Sequence, residues 1–94
     1  MDDGSFQWDD NKAAQNYAAH GVTFEAAREA FSDPFALDWP DESEPTVRLG
    51  TSQSEWAEGR LLFVAYTLRG DAIRIISARG AEPYERRKYH EENR

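Results

Sequence analysis

Leu61-Leu62-Phe63-Val64-Ala65-Tyr66-Thr67-Leu68, then Arg69-Gly70-Asp71, then Ala72-Ile73-Arg74-Ile75-Ile76-Ser77-Ala78-Arg79 is the stretch that decides the fold. Two apolar, β-branched and aromatic runs flank a short turn signal, which predicts an antiparallel hairpin. Ile73 and Ile75 alternate with Arg74, as on a strand with one apolar face. If those isoleucines face packed helices, Arg74 points to the opposite, open face. Arg79 has the other parity, a constraint that loosens at a strand end. Arginine in the most hydrophobic part of an acidic chain either pairs with carboxylates or meets phosphate.

Outward from the hairpin, Pro83 starts a charged C-terminal helix. On the N-terminal side, Thr46–Thr51 predicts a strand with Val47 and Leu49 inward, and Phe35–Trp39 predicts another. An acidic loop, residues 40–45, joins them, and Ser52–Gly59 is expected to be a polar turn. Phe6-Gln7-Trp8 alternates like a short strand. Asp9 or Asp10 caps a helix running to His20, and Gly21 stops it. Ala13, Ala14, Tyr17 and Ala18 form its predicted small-residue face. Thr23 caps a second helix, on which Phe24, Ala27, Ala30 and Phe31 make the buried stripe. Asp33-Pro34 ends it. The expected architecture is α+β: two N-terminal helices, a three- or four-stranded antiparallel sheet, and a C-terminal helix. Trp8, Phe24, Phe31, Phe35, Trp39 and Phe63 are the expected core aromatics.

Ninety-four residues allow one domain, residues 1–94, with a modest core. No Cys is present, so there is neither a disulfide framework nor a thiolate metal site. No His-rich or carboxylate cluster has metal-ligand spacing, and no cofactor motif is visible. No apolar run reaches membrane-spanning length, and the expected location is cytoplasmic. The net charge of −7 argues against nonspecific nucleic-acid binding. The charge is unevenly spread. Residues 1–59 hold thirteen acids against three bases (Lys12, Arg28 and Arg48), and residues 60–94 hold eight bases against five acids. Such asymmetry suggests two surfaces, one for an acidic ligand and one for a basic partner. Ordinary pairing between the halves is the simpler alternative.

An ordered set of residues resembles a known family. It comprises Phe6-Gln7-Trp8-Asp9, Lys12, Asn16, His20-Gly21-Val22-Thr23-Phe24-Glu25-Ala26-Ala27, Phe31 and Asp33-Pro34. Gly59-Arg60-Leu61-Leu62, Thr67, Arg69-Gly70, Ile73–Arg79 and Glu85-Arg86-Arg87-Tyr89 complete it. The pattern, over residues 6–90, is similar to the BrnT toxins of bacterial type II toxin–antitoxin systems. The resemblance implies a RelE-like fold, ribonuclease activity without a metal, and neutralisation by a BrnA-like antitoxin. It also implies that DNA is contacted only through that antitoxin's ribbon-helix-helix region, in a complex that represses its own operon. Three positions depart from the family pattern. Ala19 and Gly80 stand where bases are usual, and Leu68 interrupts the common Thr-Glu-Arg-Gly turn. Two missing bases open a second reading: a catalytically impaired member that persists as a protein-binding co-repressor subunit.

Metal-free RNA cleavage sets the 2′-hydroxyl against the adjacent phosphate. It needs a proton acceptor, a proton donor and cations for the developing phosphorane charge. Arg79 and Arg74 are the candidates for the cations. His20 is the acid–base candidate, although a C-terminal helix cap explains it equally well. Lys12, Arg60, Arg86, Arg87 and Tyr89 are candidate RNA contacts. Tyr89 also suits packing on the sheet, and Lys12 suits pairing on its own helix. Trp56, in a polar acidic turn, is either exposed for a partner or folded back as a plug. The acidic stretch Asp38–Glu44 is a candidate landing site for a basic antitoxin.

Overall fold

The computed structural model describes residues 1–94. Strands β1 (Phe6–Gln7), β2 (Leu37–Pro40), β3 (Arg48–Ser54), β4 (Arg60–Arg69) and β5 (Ala72–Gly80) form one sheet in the order β1-β5-β4-β3-β2. Helices α1 (Asp10–His20) and α2 (Phe24–Ala30) follow β1, and α3 (Pro83–Glu92) ends the chain. The α+β expectation holds. The sheet has five strands, however, and it is mixed. β1 lies parallel to β5, with Phe6 opposite Ile73, and the other neighbours are antiparallel. A pairing across 67 residues leaves no local signal.

Local chemistry fixes the helix ends. The Asp9 carboxylate accepts from the Asn11 and Lys12 N–H groups, and Thr23 Oγ1 accepts from Ala26 N–H. Gly21 closes α1 at φ 67°, a conformation costly for any residue with a Cβ. At the hairpin tip Arg69 pairs with Ala72, and Gly70 adopts φ 61°. The polar turn after β3 proves shorter than expected. The strand runs on to Ser54, and Glu55–Ala57 make a single 3-10 turn.

The core lies between the sheet and α1–α2. Trp8, Val22, Phe24, Ala27 and Ala30 close on Leu62, Val64, Ile75 and Ala78. Phe24 meets Trp8 edge-on, and Phe31 meets both Phe6 and Tyr66. The buried side of α1 is not the predicted one. Asn16 is its buried residue, Ala13 is half-buried, and Ala14, Tyr17 and Ala18 are exposed. Asn16 explains the rotation. Beyond the short β1, the edge of β5 lacks a strand partner. The Asn16 amide accepts from Ala78 N–H at 3.0 Å and donates to Ala78 C=O at 2.8 Å. It also donates to Val22 C=O at 3.0 Å. One side chain thus satisfies backbone groups whose burial without partners would be costly.

Phe35 is outside the core, 58% exposed in the turn before β2. Trp39 and Phe63 pack together, with centroids 6.0 Å apart, on the face of the sheet away from α1 and α2. Leu49 also lies on that face, as the cross-strand partner of Trp39 and Ala65.

Candidate functional site

The open face is built from cross-strand rows. Leu37, Thr51, Phe63 and Arg79 make one row, and Trp39, Leu49, Ala65 and Ser77 the next. Between them and the hairpin tip the register slips. Ala65 pairs with Ser77 but Tyr66 pairs with Ile75, so Ile76 has no partner on β4. This β-bulge resolves the parity conflict between the two arginines. It inserts one residue, so Ile75 and Ala78 both face the core while Arg74 and Arg79 share the open face. Strand rise puts them about 13 Å apart along β5.

The two arginines are held differently. Arg79 is clamped. Its Nη1 and Nη2 donate to Glu85 Oε1 and Oε2, both at 2.9 Å, and Nη1 also donates to Gly80 C=O. Its guanidinium carbon lies 4.3 Å from the Phe63 ring centroid. The side chain remains 30% exposed. Of its five N–H groups, Nε–H and one on Nη2 carry no protein hydrogen bond. The bond to Glu85 raises the Arg79 pKa further. Burial pushes the Glu85 carboxyl up, but Arg79 and the Glu82 N–H outweigh it and hold it below the usual range. Arg74 is nearly free by comparison. Its Nη1 donates to Gln7 Oε1 at 3.1 Å, and it forms no ion pair.

α3 crosses one end of this face and is pinned there. Besides Arg79–Glu85, the Tyr89 hydroxyl donates to Asp33 Oδ2 at 2.6 Å, and Asn93 Nδ2 donates to Phe35 C=O. Burial, with the Asp33 carboxylate, pushes the Tyr89 pKa up to about 12. Tyr89 is therefore a buried anchor, not a surface for base stacking, because its ring is covered and its hydroxyl is committed. Tyr84 and Lys88, one turn apart on α3, line a groove with Leu37 and Trp39 of β2.

The remaining candidates are dispersed. His20 is exposed at the end of α1, and no hydrogen bond or ion pair joins it to Arg74 or Arg79. Lys12 is exposed on the same helix. Arg60, at the start of β4, donates Nε–H to Ala57 C=O. Arg86 Nη1 donates to Ala81 C=O at 2.7 Å, and Arg86 and Arg87 line a shallow basic groove on α3 with His90 and Arg94. The acidic loop is tied up locally. Asp38 binds Arg48 and the Tyr66 hydroxyl, and Asp41 accepts from Ser43. Sequence reasoning missed Phe63, Ser77, Glu85 and Gln7 as site neighbours. Phe63 was the legible one, since it alternates with Leu62 and Val64 and so faces away from the core. No group of three or more His, Asp or Glu side chains converges as a metal site would need.

No helix is long and apolar enough to cross a membrane. No curated protein matches the chain significantly. The crystal structure of the Brucella abortus ribonuclease toxin BrnT is similar, with a TM-score of 0.67 at 22% identity, over 83% of this chain and 96% of that one. At that identity the likeness establishes the shared fold. A family model described as the ribonuclease toxin BrnT of type II toxin–antitoxin systems matches residues 8–85. That match runs from Trp8, just after β1, to the first turn of α3 and takes in β2 to β5, so the chain belongs to the BrnT family of toxins, whose members are paired with an antitoxin.

Proposed function

We propose that the open face of the sheet is an RNA-cleaving surface that works without a metal ion. The observation that carries this reading is the placement of Arg74 and Arg79 on one face, beside Phe63 and Trp39, by the bulge at Ile76. Arg79 is pre-positioned by Glu85 and Phe63, with Nε–H free for a phosphate and the remaining Nη2 N–H facing the Glu82 carboxylate at 3.8 Å. Arg74 supplies a charge held in no ion pair, with Asp9 the carboxylate near enough to feel it. Arg79 stabilises the phosphorane that forms when a 2′-hydroxyl attacks the neighbouring phosphate, and Arg74, about 13 Å along β5, holds a phosphate further along the RNA backbone. The half-exposed aromatic rings offer stacking surface to a splayed base. Lys12, Arg86 and Arg87, all exposed, supply weaker backbone contacts, whereas Arg60 lies apart from this face, in the groove beside Trp56. His20 takes a lesser share in proton transfer, because nothing holds it against the two arginines. A BrnA-like antitoxin covers the toxin and carries the contact with DNA.

The test is cleavage of RNA by the purified chain in excess chelator. Cleavage that persists in chelator and falls in Arg74→Ala supports the reading. Chelator-sensitive cleavage overturns the metal-free mechanism.

The second reading, a catalytically impaired co-repressor subunit, is favoured by one observation. Glu85 neutralises the very arginine best placed for catalysis. A well-folded chain that binds its antitoxin and never cuts RNA would establish it.

A further inference from the structure

Trp56 is 68% exposed, which leaves the largest of the aromatic side chains mostly uncovered. It stands as a ridge between two grooves on the side of the molecule formed by α2 and the 3-10 turn. One groove, about 420 Å³, is lined by Tyr17, Val22, Ala26 and Arg60. The other, about 690 Å³, is lined by Phe6, Arg28, Phe31 and Ser32. Tyr17 is itself 57% exposed. The surface therefore joins exposed aromatic side chains with two grooves of mixed lining, the second the more apolar, the makings of an interface hot spot.

Its charge selects the occupant. Glu25, Glu29 and Glu58 line the grooves, and Glu55 adjoins Trp56. Arg28 and Arg60 are the bases, and Arg28 is already paired with Asp3. The ring of carboxylates repels RNA. It also opposes a second copy of this chain, which would bring like charges together at a net charge of −7. A basic protein segment meets both the charge and the mixed lining of the grooves. From this charge complementarity we propose that Trp56 and its two flanking grooves are the docking surface for a basic segment of the cognate antitoxin, with Trp56 as the central anchor. This rests on the antitoxin partnership of the family and extends it to a named surface. The surface lies on the α2 side, whereas the arginines lie on the opposite face of the sheet.

The test is binding of the purified chain to its co-encoded antitoxin, followed in real time at several salt concentrations. Trp56→Ala is expected to raise Kd about 30-fold, mainly through faster dissociation. Glu55→Lys with Glu58→Lys is expected to slow association about tenfold at low salt and to flatten its salt dependence. Trp56 is mostly exposed, so matching thermal melts confirm that these variants fold. Wild-type binding by both variants overturns the proposal. So does loss of binding confined to Arg74→Ala and Tyr84→Ala, which would seat the antitoxin on the open face. A change in self-association with Trp56→Ala, read by sedimentation with no change in antitoxin affinity, would assign the surface to a second copy and overturn it equally. The readout is binding, so an inactive nuclease leaves the test intact.

Discussion

The two faces of the β4–β5 hairpin share one backbone and have opposite fates. On one, Leu62, Val64, Ile75 and Ala78 are sealed under α1 and α2. On the other, Phe63, Ser77, Arg74 and Arg79 stay half-exposed. The covered face stabilises the fold through burial, and the open face presents charge and aromatic surface to solvent. Arg79 belongs partly to both roles. It sits on the open face, yet its pairing with buried Glu85 also pins α3. The bulge at Ile76 makes the division possible, because without it Arg79 would point into the core.

The largest expected effect lies on the covered face. Phe24 is fully buried, so Phe24→Ala should cost about 3–5 kcal/mol of stability by chemical denaturation. A cost below 1 kcal/mol would mean that the helices do not seal this face as described.

Arg79→Ala comes next, with two consequences. RNA cleavage should fall on the order of 10²-fold. Stability should fall by about 2–3 kcal/mol, because Glu85 is left buried without its partner; this is less than for a fully buried pair, since the guanidinium is 30% exposed. Arg74→Ala separates the two faces more cleanly. It should slow cleavage while leaving the melting temperature within a degree or two, since Arg74 bonds only to Gln7. An Arg74→Ala variant that unfolds would erase the contrast between the arginines.

The anchors of α3 predict pH dependence at both extremes. Glu85 and Asp33 titrate below their ordinary values in the folded chain. The stability they contribute is present above the unfolded carboxylate range and is lost as pH falls through their folded values. Tyr89 titrates high. Its contribution is complete below the ordinary tyrosine value near 10 and is lost as pH rises from there through about 12. Denaturation across pH should show both losses, and Tyr89→Phe should flatten the alkaline one. An unchanged alkaline profile in Tyr89→Phe would remove the Asp33 bond from the account.

The smallest effects should come from the periphery. His20→Ala should slow cleavage less than tenfold, since the general acid–base contribution of a loosely placed group is modest. Gly80→Arg should leave it nearly unchanged: a side chain there meets open space, but Gly80 pairs with Leu62, so the new base would point to the helix side, away from Arg74 and Arg79. A larger effect from His20 than from Arg79 would reverse the order of their roles.

What could be read from the sequence was local. Asp9, Thr23 and Gly21 mark the helix ends because each cap involves residues no more than four apart. The hairpin was legible because its turn and its apolar runs adjoin. The missed features join distant residues. β1 finds β5 across 67 residues, Asn16 finds Ala78 across 62, and Tyr89 finds Asp33 across 56. Ile76 was invisible for another reason. An apolar residue in an apolar strand gives no sign that it is the unpaired one, so the parity of Arg79 was misjudged with it. Trp39 and Phe63 illustrate a third limit: hydrophobicity shows that a ring seeks cover, but not which face of the sheet supplies it.

RNA cleavage by the purified chain in excess chelator, with Arg79→Ala and Arg74→Ala measured beside the wild type and each fold checked by circular dichroism, tests the central claim most directly. The account predicts metal-independent cleavage that falls on the order of 10²-fold in Arg79→Ala and clearly in Arg74→Ala. Full activity in both variants, or no cleavage by well-folded wild type, would contradict it.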